Sequence, residues 1–360
     1  MDQNSLLDGP PAITPDAPPM PPLSSQASLR PRRRSLSPTA RRTAEASQDA
    51  ARLELGRWLQ SQGYRYTTVT PETHRRVNAR PMLQQAQDLR DVFGWNRPFA
   101  ESLLPREIVE LLRRAGALSH HGERLRSRLR YSTLDGLLFA HSGYPTLETD
   151  AVFFGPDTYR FAALIRRALA VPGLRPPGRI VDVGCGSGAG GIVAASLLPD
   201  EVRLTLSDIN PRALRHAATN AALAGVANAE CVESDVLRSI EGPVDLVLAN
   251  PPYLADPAGR QYRDGGDRHG CELSLRILAE SLARLVPGGR LVLYTGAPQV
   301  GGEDLFWRAA QPLLRQARAR FEYTELDPDV FGEELDNPEY HAVERIAAVG
   351  LIAQLPEEPT

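Results

Sequence analysis

VDVGCGSGAGG, residues 181–191, is the stretch on which the fold turns. It stands where a short aliphatic strand should give way to a helix. Its glycines at 184, 186 and 188 let the backbone reverse sharply and approach a ligand closely. In open α/β sheets, ligands bind beyond the carboxyl ends of the strands, where such a loop lies. Through Ala189 the run also satisfies G-x-G-x-x-A, so these residues alone leave a nicotinamide dinucleotide site open.

Outward from this loop the chain alternates in pattern. Short aliphatic strands are predicted at 179–184, 202–208, 229–235, 244–253 and 289–296, with helical stretches at 189–198, 211–224 and 271–286. Strands separated by helix-length segments imply parallel βαβ units with right-handed crossovers. FEYTELD (321–327) and ERIAAVGLIAQL (344–355) read as an antiparallel hairpin at one sheet edge. The fold class is therefore α/β, a Rossmann-like and mostly parallel sheet with an antiparallel C-terminal edge hairpin.

Upstream, residues 46–150 read as a smaller, mainly helical domain suited to substrate recognition. ARLELGRWLQSQGY (51–64) places Leu55, Trp58 and Leu59 at helical spacing, and the helix predicted over 103–118 sets Ile108, Leu111 and Leu112 on one face. A hairpin follows over 124–134 and 136–142, turning at Asp135-Gly136. Helix followed by hairpin is a winged-helix order. Arg124, Arg126, Arg128 and Arg130 alternate along its first strand and, on an exposed face, would meet phosphates about 7 Å apart. Residues 1–45 are rich in Pro, Ser and Ala, with a basic cluster at Arg30, Arg32, Arg33, Arg34, Arg41 and Arg42, and are expected to be a disordered tail. The domain from 151 to 360 carries the glycine loop.

Of the 360 residues 42% are hydrophobic, enough for a sizeable core, and the net charge of −3 exerts no global pull toward nucleic acid or membrane. All 41 basic residues are arginine, so no lysine is available for catalysis. Cys185, Cys231 and Cys271 form neither a disulfide framework nor a metal-ligand spacing, and no metal is expected. No apolar run reaches the roughly 18 residues of a bilayer span. With no secretory pattern at the N-terminus, a cytoplasmic protein is the expectation.

Three acids narrow the ligand. Asp182 lies just before the first glycine, Asp208 ends the second strand and Asp235 ends the third. They can meet an ammonium group, two ribose hydroxyls and an adenine amino group respectively. With the glycine loop they resemble the class I S-adenosylmethionine-dependent methyltransferases over about 151–355. VFFGPDTYRF (152–161) resembles the segment that leads a helix over the cofactor in the HemK-like, small-domain group, which would set Phe154, Pro156, Asp157 and Thr158 beside the bound methionine. The resemblance implies S-adenosyl-L-methionine as cofactor, with contacts from Thr158, Asp182, Gly184, Gly186, Gly188, Asp208, Ile209, Asp235, Val236 and Asn250.

LANPPY, residues 248–253, carries the chemistry. In amino-methyltransferases this motif holds a planar, conjugated NH2 group, whose delocalised lone pair makes it a poor nucleophile. The Asn250 side-chain oxygen and the Pro251 carbonyl can accept its two N–H bonds, favouring the pyramidal geometry of the transition state. Pro251 and Pro252 offer no competing donor, and Tyr253 can stack on the flat acceptor. The catalytic set is thus Asn250, Pro251, Pro252 and Tyr253. No strong base is needed, since the nitrogen becomes acidic once alkylated.

The acceptor has more than one reading. YRDGGDRHGCELSLRIL (262–278) resembles the release-factor glutamine methyltransferases, with Gly265, Gly266, Gly270, Leu273 and Arg276 in the matching places. The same NPPY occurs in adenine-N6 and guanine-N2 methyltransferases of RNA and DNA. The expected partner is a macromolecule, either a nucleic acid or a release-factor-like protein. A nucleic-acid-binding regulatory protein with an inactive methyltransferase fold, and a nicotinamide-dependent oxidoreductase, are the competing readings.

Overall fold

The computed structural model describes residues 38–171, 177–256, 260, 262–357. The tail up to residue 37, with Arg30, Arg32, Arg33 and Arg34 of its basic cluster, lies outside the described residues, while Arg41 and Arg42 fall within the first helix. By their contacts Met1–Arg41 and Arg42–Thr360 form separate units, and the second carries all the strands among the described residues.

Helix α1 (Pro38–Ser61) begins inside the stretch expected to be a tail. Its Ala, Arg, Glu, Gln and Leu residues are strong helix formers, and Leu55 and Leu59 are completely buried. Three short helices follow, α2 (Pro71–Asn78), α3 (Leu89–Phe93) and α4 (Arg106–Arg114), the last burying Ile108, Leu111 and Leu112 as its periodicity predicts. Two hairpins complete the region. Strand β1 (Leu118–His121) pairs with β2 (Arg124–Ser127), and β3 (Leu129–Leu134) pairs with β4 (Leu137–Ser142) around Asp135-Gly136, both at positive φ.

The arginine row does not occupy one exposed face. The strand predicted over 124–134 is broken at Arg128, and its halves pair with different partners. Beyond the break Arg130 turns inward. Its Nε donates to the Gly94 carbonyl at 2.8 Å, and its guanidinium lies over the Tyr66 ring.

From α5 (Pro156–Leu169) onward the alternation follows the sequence closely: β5 (Arg179–Val183), α6 (Ala189–Ser196), β6 (Arg203–Asp208), α7 (Pro211–Ala224), β7 (Ala229–Glu233), β8 (Val244–Ala249), α8 (Glu272–Arg284) and β9 (Leu285–Val300). The pair β10 (Glu303–Asp304) and α9 (Leu305–Gln316) then leads to β11 (Arg320–Asp327) and β12 (Arg345–Gln354). Helix α9 was not expected from the sequence, and Pro312 inside it interrupts the helical signal. The sheet runs β11-β12-β9-β8-β5-β6-β7, with β10 pairing β9. Its neighbours are parallel from β9 to β7, while β12 is antiparallel to both β9 and β11, the expected edge hairpin. Strand β9 is longer than predicted because β12 covers it over ten residue pairs. No helix among the described residues is long and apolar enough to cross a membrane.

Among the links that join the N-terminal elements to this sheet, two come from polar side chains of α7. Arg215 of α7 reaches α1 at Asp49 and at the Gln48 side-chain oxygen, both at 3.1 Å. Asn220, fully buried on the same helix, accepts from the Ala140 N–H at 2.7 Å and donates to the Ala140 carbonyl at 3.0 Å and the Ser187 carbonyl at 2.8 Å. One carboxamide thus fastens β4 to the glycine loop. Truncation would strand three buried backbone groups, each costing about 1–3 kcal/mol. We expect Asn220→Ala to lower stability by about 3 kcal/mol, measured by urea unfolding.

Candidate active site

At the carboxyl ends of β5, β6, β7 and β8, a cavity of about 430 Å³ opens between the glycine loop and the loop after β8. Small-molecule sites run from about 300 to 1,000 Å³. The loop from β5 to α6 places Gly184, Gly186 and Gly188 at φ of +65°, +54° and +78°. Side chains rarely adopt this region. An added Cβ at Gly184 or Gly186 would meet no protein atom within 4 Å, so both present bare backbone.

Two carboxylates hold that loop in place. The Gly191 N–H, in the first turn of α6, donates to Asp182 Oδ2 at 2.7 Å, and the Gly186 N–H donates to Asp208 Oδ2 at 2.8 Å. The Asn210 N–H donates to the other Asp208 oxygen at 2.9 Å. Burial pushes the Asp182 carboxyl up to about 7, against one stabilising N–H, and raises Asp208 as well. Val236 lies beside them at φ +52°, buried, while Ile209 is half-exposed at the rim. Asp235 is exposed and pairs with Arg276 of α8. Thr158, in the first turn of α5, accepts from the Gly155 N–H at 3.3 Å, a cap, and also lines the cavity.

The NPPY residues close the other side. Asn250 is half-buried, and its carboxamide makes no hydrogen bond among the described residues. Tyr253 is treated differently from the sequence expectation of a stacking platform. Only 6% of it is exposed, and a Cβ at Gly296 would overlap its ring. Its hydroxyl donates to Asp157 Oδ2 at 2.8 Å, while the Tyr294 hydroxyl donates to Asp157 Oδ1 at 2.7 Å. Arg160 completes the set at 3.0 Å. Little of the Tyr253 ring is left to meet an acceptor, and its hydroxyl holds the loop to α5. Gly265 and Gly270 pack on the backbone of Tyr253, where a side chain would collide.

Every cofactor-contact and NPPY residue singled out in the sequence lines this cavity except Gly188, which sits behind the loop against Ile192 and Ala217. Of the segment leading into α5, Asp157 and Thr158 reach the cavity, whereas Phe154 is buried against Phe139 and His141. Other walls were not anticipated. Phe153 lies nearly parallel to Tyr262, ring centroids 6.0 Å apart, and the Tyr262 hydroxyl donates to the Thr146 carbonyl at 2.7 Å. Phe331 and Leu147 add apolar surface. Phe153 had a signal in its place beside the GPDT turn. Thr146 and Phe331 come from loops distant in sequence and had none.

Residues 162–300 match the family model of the methyltransferase small domain. A release factor glutamine methyltransferase of Deinococcus radiodurans is 34% identical over 168 residues, 43% of this chain and 55% of that protein. A ribosomal RNA small subunit methyltransferase C of Actinobacillus pleuropneumoniae is 34% identical over 128 residues, 34% of each chain. A ribosomal protein L11 methyltransferase of Pelotomaculum thermopropionicum is 39% identical over 113 residues, 31% of this chain and 36% of that one. The chain spans about half the length, or less, of these curated relatives. With the sheet order and the strand-end cavity, these matches make residues 162–300 similar to the catalytic domain of class I S-adenosylmethionine-dependent methyltransferases.

The Tyr253–Asp157 link is separable from the ring itself. Tyr253→Phe should lower stability by about 1.5–3 kcal/mol, the range for a hydrogen bond to a charged group, in urea unfolding. Cofactor affinity by calorimetry should stay within about twofold, below 0.5 kcal/mol.

Proposed function

We propose that this chain transfers a methyl group from S-adenosyl-L-methionine to a planar NH2 nitrogen of a macromolecule, the exocyclic amine of a nucleobase or the amide of a protein glutamine. The observation that carries this reading is the unengaged Asn250 carboxamide, set at the end of β8 in the same cavity as the bare glycine backbone. The site fits the cofactor in its donors and its space. Asp208 beside Gly186 suits ribose hydroxyls, Asp182 suits an ammonium group, and Val236, Ile209 and Asp235 border the place for adenine. Asp235 shares its charge with Arg276 there.

When bound, the cofactor supplies an electrophilic methyl group; the chain's residues do the rest. Asn250 Oδ1 and the Pro251 carbonyl accept the two N–H bonds of the acceptor and draw its nitrogen out of conjugation. Pro252 and the buried Tyr253 keep those oxygens in place, the latter through Asp157. The proton leaves after alkylation, when the nitrogen is acidic, so no base is required. The names of the relatives, which include methyltransferases of a release factor glutamine, of ribosomal RNA and of a ribosomal protein, support a macromolecular acceptor.

Asn250→Ala should abolish methyl transfer while calorimetric cofactor binding persists; near-normal turnover would overturn the assignment. Tritiated methyl transfer to RNA, DNA and release-factor pools from cells lacking the gene identifies the acceptor by the pool that takes up label. Asp182 gives a pH test. Its folded-state value of about 7 lies above the ordinary 3.8, so the cofactor-free chain is more stable with the carboxyl protonated and loses that stability as pH rises from about 4 to about 7. An ammonium group needs the charged form. Cofactor affinity should therefore tighten as pH rises through about 7, and Asp182→Asn should flatten the dependence.

A further inference from the structure

We propose that the outer face of the β1–β2 hairpin, with the groove beside it, docks the sugar–phosphate backbone of the nucleic-acid strand that carries the methyl acceptor. This rests on the N-methyltransferase reading above and selects its nucleic-acid branch.

Strand β2 alternates strictly. Leu125 and Ser127 are buried, while Arg124 and Arg126 face outward. The register pairs Arg124 with His121 and Arg126 with Ser119, so a basic and polar strip runs across the sheet face with no acid opposite either arginine. Among the described residues, the guanidinium groups of Arg124, Arg126 and the exposed Arg128 make no ion pair or hydrogen bond. On the helices of the same region several arginines are paired, Arg75 and Arg76 with Glu72, Arg113 with Glu101 and Arg114 with Glu54, whereas Arg57, Arg90 and Arg106 stand singly on separate helices and form no strip. Moreover, Arg126 Nε is buried without a partner. A buried donor left unsatisfied is costly, and an anionic oxygen would complete it.

The groove beside this strip measures about 530 Å³ and is walled by Asn78, Gln84, Gln85 and Arg97. Arg97 is held by Asp91 and Asn78, so it forms a fixed floor. Asn78 is engaged with Trp95 and Arg97, but the Gln84 and Gln85 amides offer neutral donors and acceptors for sugars and base edges, while planar guanidinium forks suit phosphate oxygens. Residues two apart on a strand stand about 7 Å from one another, comparable to the step between phosphates along one strand. Glu123 is the one carboxylate among the described residues lining the groove, and it stands at the hairpin turn. A negatively charged strand would be repelled there, which makes Glu123 a second handle.

Binding of a mixed-sequence single-stranded RNA, a DNA of the same sequence and a purified release factor to the full chain, read by fluorescence anisotropy over a salt series, tests this without reference to methylation. For the nucleic acid bound, Arg124→Gln combined with Arg126→Gln should weaken affinity at least about tenfold and reduce the salt slope by about 1.4, near 0.7 for each lost phosphate contact. Glu123→Gln should tighten it. Unchanged cofactor affinity and unchanged urea unfolding of the double variant keep a folding defect from imitating the result. The RNA and DNA arms distinguish the two sources of the backbone. Equal affinity and slope in wild type and double variant, no nucleic-acid binding by the wild type at low salt, or a loss confined to release-factor binding would each overturn the proposal. Absence of methyl transfer with the expected binding changes would instead count against the catalytic reading alone.

Discussion

Asp182 and Asp208 stand at the ends of adjacent parallel strands, and each takes a backbone N–H from the segment after β5, Gly191 at 2.7 Å and Gly186 at 2.8 Å. Around these two fastenings the chain passes through three residues at positive φ, Gly184, Gly186 and Gly188, and enters α6. The glycines lower the strain of that path, but the carboxylates select it. Both are buried enough that their protonation is favoured over the ordinary value, and neither has a protein cation beside it. The arrangement is a negative field held in low dielectric, facing a stretch of bare backbone. Such a field suits a ligand that brings positive charge and hydroxyl donors.

A third buried carboxylate does the equivalent work on the NPPY side of the cavity. Asp157 receives hydroxyls from Tyr253 and Tyr294 and faces Arg160, which ties the loop after β8 to the first turn of α5 and to β9. Three elements far apart in sequence are thereby held around one oxygen pair. Asn220 extends the connection to the N-terminal hairpins through Ala140 and Ser187. Displacement of those hairpins would therefore be felt at the glycine loop through one side chain.

The N-terminal elements differ in character from the sheet they adjoin. Their core sets Tyr64, Tyr66, Phe93, Phe99 and Tyr131 among aliphatic side chains, and their buried arginines are anchored, Arg97 on Asp91 and Arg130 on Gly94. The arginines on β2 have no such anchors. A chain with lysine at none of its positions relies on guanidinium for every basic contact, structural or otherwise, so composition cannot separate the two uses. Burial and pairing can.

The strands and helices of the sheet domain were legible because their hydrophobic periods are local: each βαβ unit is written in consecutive residues. For the same reason the glycine loop, the strand-end acids and NPPY could be located without coordinates. The burial of Tyr253 against Gly296 could not, because its neighbours lie on β9 and α5. Nor could the turn inward at Arg130, since alternation predicts faces only while a strand keeps one partner, and this one changes partner at Arg128. By itself the sequence determined which groups stand at the strand ends and what chemistry they can do. Tertiary packing decided which of them remain unengaged, because a hydrogen-bonding group is available to a ligand only where the rest of the chain has left it without a partner.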